Sequence, residues 1–215
     1  MKYFKNLVQW GFLLAFLLMV SKGKMNLWLL VFGISLLLAM VFGRIYCGWI
    51  CPINTVMIPT EKLSKKLNLQ KKGIPKVLSS GIWSWVILIV FIVTMIISKR
   101  SGIQIPLILY LLILSVIVTL RYEPRVFHNY LCPFGALQGV TGRFARFSKR
   151  VNLEKCVGCK KCEKVCPSES IKVNNKKAAI ETKLCHQCFN CRDICPTDAI
   201  NYGKIINDTK EKAIE

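Results

Sequence analysis

Residues 156–173 read CVGCKKCEKVCPSESIKV, and residues 185–202 read CHQCFNCRDICPTDAINY. Both stretches follow the pattern C-x2-C-x2-C-x3-C-P, and the second copy begins 29 residues after the first. An internal repeat of this kind indicates two copies of one structural unit. Each copy is predicted to form a cysteine loop, a short helix and a β-strand, so that the two copies make a small α+β domain.

The spacing of these cysteines indicates what they bind. Three cysteines separated by two residues each can approach one iron–sulfur cluster from a single tight loop, and the fourth ligand must then come from elsewhere. Zinc commonly uses pairs of C-x2-C separated by a spacer, and structural thiols need no fixed spacing. Two complete runs of four cysteines therefore favour iron–sulfur clusters over both alternatives.

Over residues 151–203 the two runs resemble the bacterial-type 2[4Fe-4S] ferredoxins. The resemblance implies two [4Fe-4S] clusters, each held by three cysteines of one run and by the fourth cysteine of the other run. It assigns the first cluster to Cys156, Cys159, Cys162 and Cys195, and the second cluster to Cys166, Cys185, Cys188 and Cys191.

The N-terminal part of the chain is apolar. Stretches at 3–20, 25–43, 77–97 and 103–120 each approach the roughly 20 residues that a membrane-spanning helix needs. No small-residue cleavage site follows Val20, so the first stretch is interpreted as a retained helix. Because short turns join the first two stretches and the last two, we expect a membrane all-α four-helix bundle of two repeated hairpins, followed by the α+β domain.

The basic residues predict the orientation. Seven Lys and Arg lie in the loop 44–76 and 18 follow the last span, whereas the two short turns together hold four. The positive-inside rule then predicts a multi-pass protein of the cytoplasmic membrane, with both termini and the cysteine-rich domain in the cytoplasm. Eleven cysteines, an odd number at metal-ligand spacings, also fit a reducing compartment. The net charge of +20 is explained by this orientation, and nucleic acid is not expected as a partner.

A second repeat lies in the membrane part. Residues 44–52 read RIYCGWICP and align with residues 125–133, which read RVFHNYLCP. The two copies bring Cys47, Cys51, His128 and Cys132 as a candidate ligand set for a third cluster. Imidazole can replace thiolate on iron. Alternatively, His128 stays free, the cluster takes an outside ligand, or the cysteines are buried small residues. The matched Arg44 and Arg125 are expected to mark the lipid interface.

These motifs, the four apolar stretches and the C-terminal cysteine runs resemble the membrane-bound polyferredoxin family, which includes the membrane quinol dehydrogenase subunit of periplasmic nitrate reductase systems and the membrane partner of nitrous oxide reductase. In that family both halves usually carry Cys-x3-Cys-Pro, and here His128 stands in place of one cysteine. We expect a four-span domain over 1–143, a linker over 144–150, the ferredoxin domain over 151–207 and a polar tail over 208–215.

The predicted function is electron transfer between the membrane and a redox partner protein whose identity the sequence does not give. The family resemblance implies the quinone pool at the membrane side and a role as the electron-transfer subunit of an oxidoreductase. The alternative is a redox sensor, or an accessory factor in the maturation of a metalloenzyme. Two histidines are too few for typical haem ligation in a bundle, and neither a G-x-G-x-x-G helix start nor a Walker sequence is present.

Overall fold

The computed structural model describes residues 2–71, 73–74, 78, 80–102 and 105–205. The chain divides into two compact units: one holds residues 1–33 and 49–136, and the other holds residues 34–48 and 137–215. The predicted polar tail 208–215 lies outside the described residues.

The N-terminal region is helical, as predicted. The long helices are α1 (Lys2–Ser21), α2 (Met25–Phe42), α4 (Pro52–Lys66), α5 (Ile82–Ser101) and α6 (Leu107–Arg121), and the short helices are α3 (Ile45–Trp49), α7 (Pro124–Val126) and α8 (Pro133–Gly142).

Two of the described helices, over Tyr3–Ser21 and Ile82–Ser101, are long and apolar enough to cross a membrane. The apolar helices over Leu27–Phe42 and Leu107–Arg121 are shorter. Left-handed glycines bound α5 on both sides, at Gly81 and Gly102, where residues with a Cβ would be strained. The predicted starts of the third and fourth spans, at Val77 and Ile103, lie outside the described residues.

Each copy of the membrane repeat bends the chain between two helices at a Cys-Pro pair. Cys51 is extended, with φ −63° and ψ 118°, and Pro52 begins α4. Cys132 is extended in the same way, with φ −74° and ψ 111°, and Pro133 begins α8. Proline disfavours the helical conformation in the residue before it and suits the first helical position itself, so the two junctions follow directly from the sequence.

The first unit is held together around α4, α5 and α6. The Ser64 hydroxyl of α4 donates to the Leu120 carbonyl at the end of α6, at 2.6 Å. Phe134 packs edge-on against Phe91 of α5 and Phe32 of α2, with ring centroids 5.4 and 4.7 Å apart. These contacts connect the two halves of the repeat inside one core.

The second unit contains the cysteine runs. Strand β1 (Phe147–Val151) pairs antiparallel with β4 (Ile200–Lys204), and β2 (Ile171–Asn174) pairs antiparallel with β3 (Lys177–Ile180). The short helices α9 (Lys161–Lys164) and α10 (Asn190–Asp193) follow the cysteine loops. The predicted order of loop, helix and strand in each copy is therefore confirmed.

The predicted linker is wrong over residues 147–150. These residues form most of β1, whose partner strand lies about fifty residues further along the chain. Ser148 and Lys149 are buried, so this segment is part of the ferredoxin-like fold. A single short strand is stabilised by its partner strand and not by its own residues, so the sequence of residues 147–150 alone does not predict it.

Candidate iron–sulfur centres

The first cavity of the second unit is lined by four cysteines. Its apolar wall includes Val173, Ala178 and Ile200. The lining cysteines are Cys156, Cys159, Cys162 and Cys195. Three come from the first loop and one from the second run.

The second cavity is lined by the other four cysteines of the two runs. Lys149, Ser170 and Phe189 also line this cavity. The lining cysteines are Cys166, Cys185, Cys188 and Cys191. The structure thus brings the cysteines together in the two sets that the ferredoxin resemblance implied.

The donor sets fit [4Fe-4S] clusters, because each cavity offers four thiols and a largely apolar wall. Ligation by each cysteine stays a prediction. Across the part of the chain that the structure describes, no three His, Cys, Asp or Glu side chains lie close enough together to hold a single metal ion, which is smaller than a cluster.

Burial changes the acidity of the thiols. Burial raises the pKa of the Cys185 thiol to about 12 and raises that of Cys191 as well. At Cys195 burial acts in the same direction, but hydrogen bonding by the backbone of Thr197 and Ala199 outweighs it and leaves the pKa below its ordinary value. Since only thiolate binds iron, iron binding at the second cavity must release the protons of buried thiols.

The two cavities differ in the hydrogen bonds to sulfur. At the second cavity the Ser170 hydroxyl lies 3.2 Å from Cys166 Sγ, and the Ser170 backbone N–H donates to the same sulfur at 3.3 Å. The residue at the same place in the second run is Ala199, which has no hydroxyl. At the first cavity the Thr197 hydroxyl lies 3.7 Å from Cys195 Sγ. The second cavity therefore has the closer hydroxyl contact.

Lys149 places a positive charge at the second cavity. Its side chain is only 3% exposed, and its ammonium lies 2.9 Å from the ring centroid of Phe189, which is close cation–π geometry. Burial lowers the pKa of the ammonium to about 8, whereas the nearby Cys191 thiolate acts in the opposite direction. The sequence places Lys149 in a basic, partly amphipathic stretch and predicts an exposed position at the lipid interface, because lysine is rarely buried.

The second cysteine loop is covered by the turn that follows α2. Arg44 is 2% exposed, and its guanidinium donates to the Lys183 carbonyl at 3.0 Å. A Cβ added to Gly48 would collide with the His186 carbonyl oxygen. The Tyr202 hydroxyl donates to the Phe42 carbonyl at 3.2 Å. The expectation that Arg44 marks the lipid interface is therefore wrong, because its charge is used inside the second unit.

The first loop is at the surface. Val157 is 61% exposed, and Cys159 is exposed as well. The carbonyl of Lys176 lies against Gly158, where a Cβ would collide with backbone atoms. Gly158 also has a φ of +67°, so both the contact and the conformation require glycine.

The residues of the candidate third site are distributed over the two units. Cys51, His128 and Cys132 are buried in the first unit, and Cys47 is buried in the second. His128 lies in a π-helical turn over Phe127–Leu131, a rare conformation that is frequent at functional sites. The Gly135 backbone N–H donates to Cys132 Sγ at 3.3 Å. A third cluster stays a prediction.

Protein-family comparisons assign both parts of the chain to iron–sulfur proteins. The family described as 4Fe-4S binding domain matches residues 26–70 and 104–152, once over each half of the membrane repeat. The family described as 4Fe-4S dicluster domain matches residues 148–196. The class is thus an iron–sulfur protein that joins a repeated 4Fe-4S binding module to a dicluster module.

Alignments with individual related proteins cover more of the chain than either family match does. Two uncharacterized proteins of Methanocaldococcus jannaschii are 33% and 30% identical, over 71% and 73% of this chain and 62% and 72% of their own lengths. The methylamine utilization ferredoxin-type protein MauN of Methylobacillus flagellatus is 32% identical over 60% of this chain and 50% of its own length. The chain thus spans less than two thirds of two of these three relatives. No solved structure matches the chain.

The chain belongs to the family of ferredoxin-type, membrane-associated electron-transport proteins. The ferredoxin-type NapH proteins of Haemophilus influenzae and Escherichia coli are among the further matches. The family predicted from the sequence motifs is therefore confirmed.

Proposed function

We propose that this protein is a membrane-anchored relay that passes electrons between the membrane and a redox partner protein. One observation carries the proposal: eight cysteines line two cavities, four in each, and each set takes its fourth member from the other run. We propose that these eight residues ligate two [4Fe-4S] clusters. Such clusters, when bound, accept and release single electrons.

Proposed ligands of the two clusters lie only four residues apart in the chain at two places. Helix α9 carries Cys162 of the first set, and Cys166 of the second set follows four residues later. The same relation holds between Cys191 and Cys195 on either side of the end of α10. Two short segments of chain therefore connect the proposed clusters directly, which suits transfer of an electron from one to the other.

The exchange of the fourth cysteine can be tested by paired substitutions. Cys195→Ser is expected to change the first cluster and to leave the second intact, so that its effect on EPR spectra and iron content matches that of Cys159→Ser. Cys166→Ser should match Cys188→Ser. Anaerobic purification with iron analysis and EPR distinguishes the two groups. If Cys195→Ser instead matches Cys188→Ser, the proposed ligand sets are wrong.

We further propose a four-span arrangement of two hairpins, with both termini and the dicluster module on the cytoplasmic side of the cytoplasmic membrane. The apolar helices α1, α2, α5 and α6 and the excess of Lys and Arg in 44–76 and after the last span support it. A green fluorescent protein fused after Glu215 should then fluoresce. An alkaline phosphatase fusion at the same site should be inactive. An active fusion would show that the C-terminus lies on the opposite side of the membrane.

Quinone is proposed as the redox partner at the membrane side, which rests on the family resemblance. Reduced protein in liposomes should be reoxidised by a quinone analogue, with the cluster absorbance returning. Liposomes that contain no analogue serve as the control. Absence of reoxidation in samples that retain their iron would exclude quinone as a direct acceptor.

The membrane repeat leads us to propose a third cluster on Cys47, Cys51, His128 and Cys132. Four irons per cubane cluster then give about 12 irons per chain, against about 8 for two clusters. His128→Cys should retain the third cluster with a lower potential, because imidazole ligation raises the potential. An iron count of about 8 per chain that Cys51→Ser leaves unchanged would exclude the third cluster.

A further inference from the structure

The two cysteine loops differ in how closely another protein can approach them. Cys185, His186 and Gln187 of the second loop are buried, and the His186 carbonyl lies directly against Gly48. The amide of Gln187 also lies beside Gly43, where an added Cβ would come within 2.9 Å of Nε2. A soluble partner therefore has no access to the second cavity through this segment.

The first loop presents an apolar residue at the surface. Val157 is 61% exposed and lies one residue from Cys156 and two residues from Cys159, both of which line the first cavity. Cys159 is itself exposed. An exposed proposed ligand and its exposed apolar neighbour therefore make the first site accessible from solvent.

Exposed lysines lie on the first loop, on helix α9 that follows it and on the β2–β3 hairpin that contacts it. The ammonium of Lys177 donates to the backbone carbonyls of Leu153 and Cys156, which fixes the β2–β3 hairpin against the first loop. Six lysines of these segments are exposed: Lys155, Lys160, Lys161, Lys164, Lys176 and Lys177. The acidic residues of the same segments are Glu154 and Glu163. We call Val157, Cys159 and these lysines the Val157 surface.

We propose that the Val157 surface is the docking site of an acidic, soluble one-electron carrier protein. The inference rests on the proposed function, since it requires a cluster in the first cavity. An apolar centre with a charged rim is the common arrangement of a protein interface, and a strongly basic rim selects an acidic partner and accelerates its association. One electron leaves the reduced carrier and is gained at the first site, without bond formation or proton transfer.

Charge reversal on the full-length protein in a neutral detergent tests the proposal. The probe is an acidic plant-type [2Fe-2S] ferredoxin, and the measured quantity is its Kd at increasing ionic strength. Lys160→Glu combined with Lys176→Glu should weaken binding about tenfold or more at low salt, and by less at high salt, where charges are screened. The matched control combines Lys172→Glu with Lys204→Glu, which are exposed positions outside the surface, and should stay within about twofold of wild type.

Several outcomes would overturn the proposal. Equal affinity of the two double variants would overturn it, as would wild-type binding that does not weaken with salt. If charge reversal abolishes binding of short-chain phosphatidylserine but leaves ferredoxin binding unchanged, the surface contacts anionic lipid instead. EPR spectra after dithionite reduction distinguish failure of the proposed function from failure of the docking proposal. If the wild type gives no [4Fe-4S] signal, the proposed function is wrong. If the signals are normal but the charge-reversal variant binds ferredoxin as the wild type does, only the docking surface is wrong.

Discussion

The two cysteine loops have the same spacing, but the rest of the protein surrounds them differently. The first loop, with Cys159 and Val157, is open to solvent. The second loop is covered by residues 43–48 and has the buried ammonium of Lys149 beside it. Identical ligand spacing thus yields two unequal sites.

The two sites differ in hydrogen bonds to sulfur, in charge and in exposure, and these three factors influence the potential of a cluster. The potential of an iron–sulfur cluster depends on hydrogen bonds to its sulfurs, on net charge and on solvent exposure. Burial disfavours the more negative reduced state at the second site, while the Lys149 ammonium and the Ser170 hydroxyl offset that effect. The proposed relay therefore has an exposed first site and a second site whose potential the protein adjusts through individual side chains.

The largest effect is expected from Gly48→Ala, which breaks the cover of the second loop. The new Cβ would occupy the space of the His186 carbonyl oxygen, a backbone atom that cannot rotate away. Overpacking of this kind costs about 1–3 kcal/mol. We expect the second cluster to be lost at a lower temperature than the first, measured by EPR after heating in detergent.

Gly33→Ala is the matched control, because nothing lies within 4 Å of its added Cβ. Alanine is the better helix former, so this variant should be as stable as the wild type or slightly more so. If both variants behave alike, the close contact at Gly48 has no energetic importance.

The next largest effect is expected from Arg44→Met. This substitution removes the hydrogen bond that the Arg44 guanidinium donates to the carbonyl of Lys183, just before the second loop. Hydrogen bonds to charged groups contribute about 1.5–3 kcal/mol. The temperature at which cluster absorbance disappears should fall by several degrees. Arg125→Met, at the matched position of the repeat, removes a partly exposed ion pair with Glu123 and should have a smaller effect. A larger effect of Arg125→Met would contradict the importance of Arg44.

Lys149→Met should lower the potential of the second cluster and leave the first nearly unchanged. Loss of a buried positive charge makes the reduced state less favourable, and an effect of about tenfold on the reduction equilibrium corresponds to about 59 mV for one electron. Redox titration followed by EPR measures both clusters in one sample. Lys172→Met, an exposed position, is the control. An unchanged second potential would show that the ammonium does not affect the cluster.

The smallest effect is expected from Ser170→Ala, which makes the second site resemble the first at this position. Loss of the hydroxyl 3.2 Å from Cys166 Sγ should lower the second potential by less than Lys149→Met does, because one neutral hydrogen bond is weaker than a buried charge. The first cluster of the same variant is the internal control. A shift of equal size in both clusters would indicate a general change of the fold.

The sequence was sufficient to predict the order of loop, helix and strand, and the family. That order depends on local spacing, with three cysteines in one loop and a proline after the fourth, whereas the exchange of the fourth cysteine was implied by the resemblance to the bacterial-type ferredoxins and stays a prediction. The two Cys-Pro junctions at Cys51 and Cys132 are equally local, because proline constrains its own φ and the residue before it.

The tertiary structure decided what surrounds each site. Three features depend on residues that are far apart in the chain: strand β1, the buried charge of Lys149, and the contact between Arg44 and Lys183. No local sequence pattern predicts such pairs. The aligned segments of the membrane repeat also differ, since Ile45–Trp49 is α-helical and Phe127–Leu131 is π-helical. Ligand spacing therefore indicated which cysteine loops could bind clusters, whereas long-range packing determined the exposure and the charge around each loop.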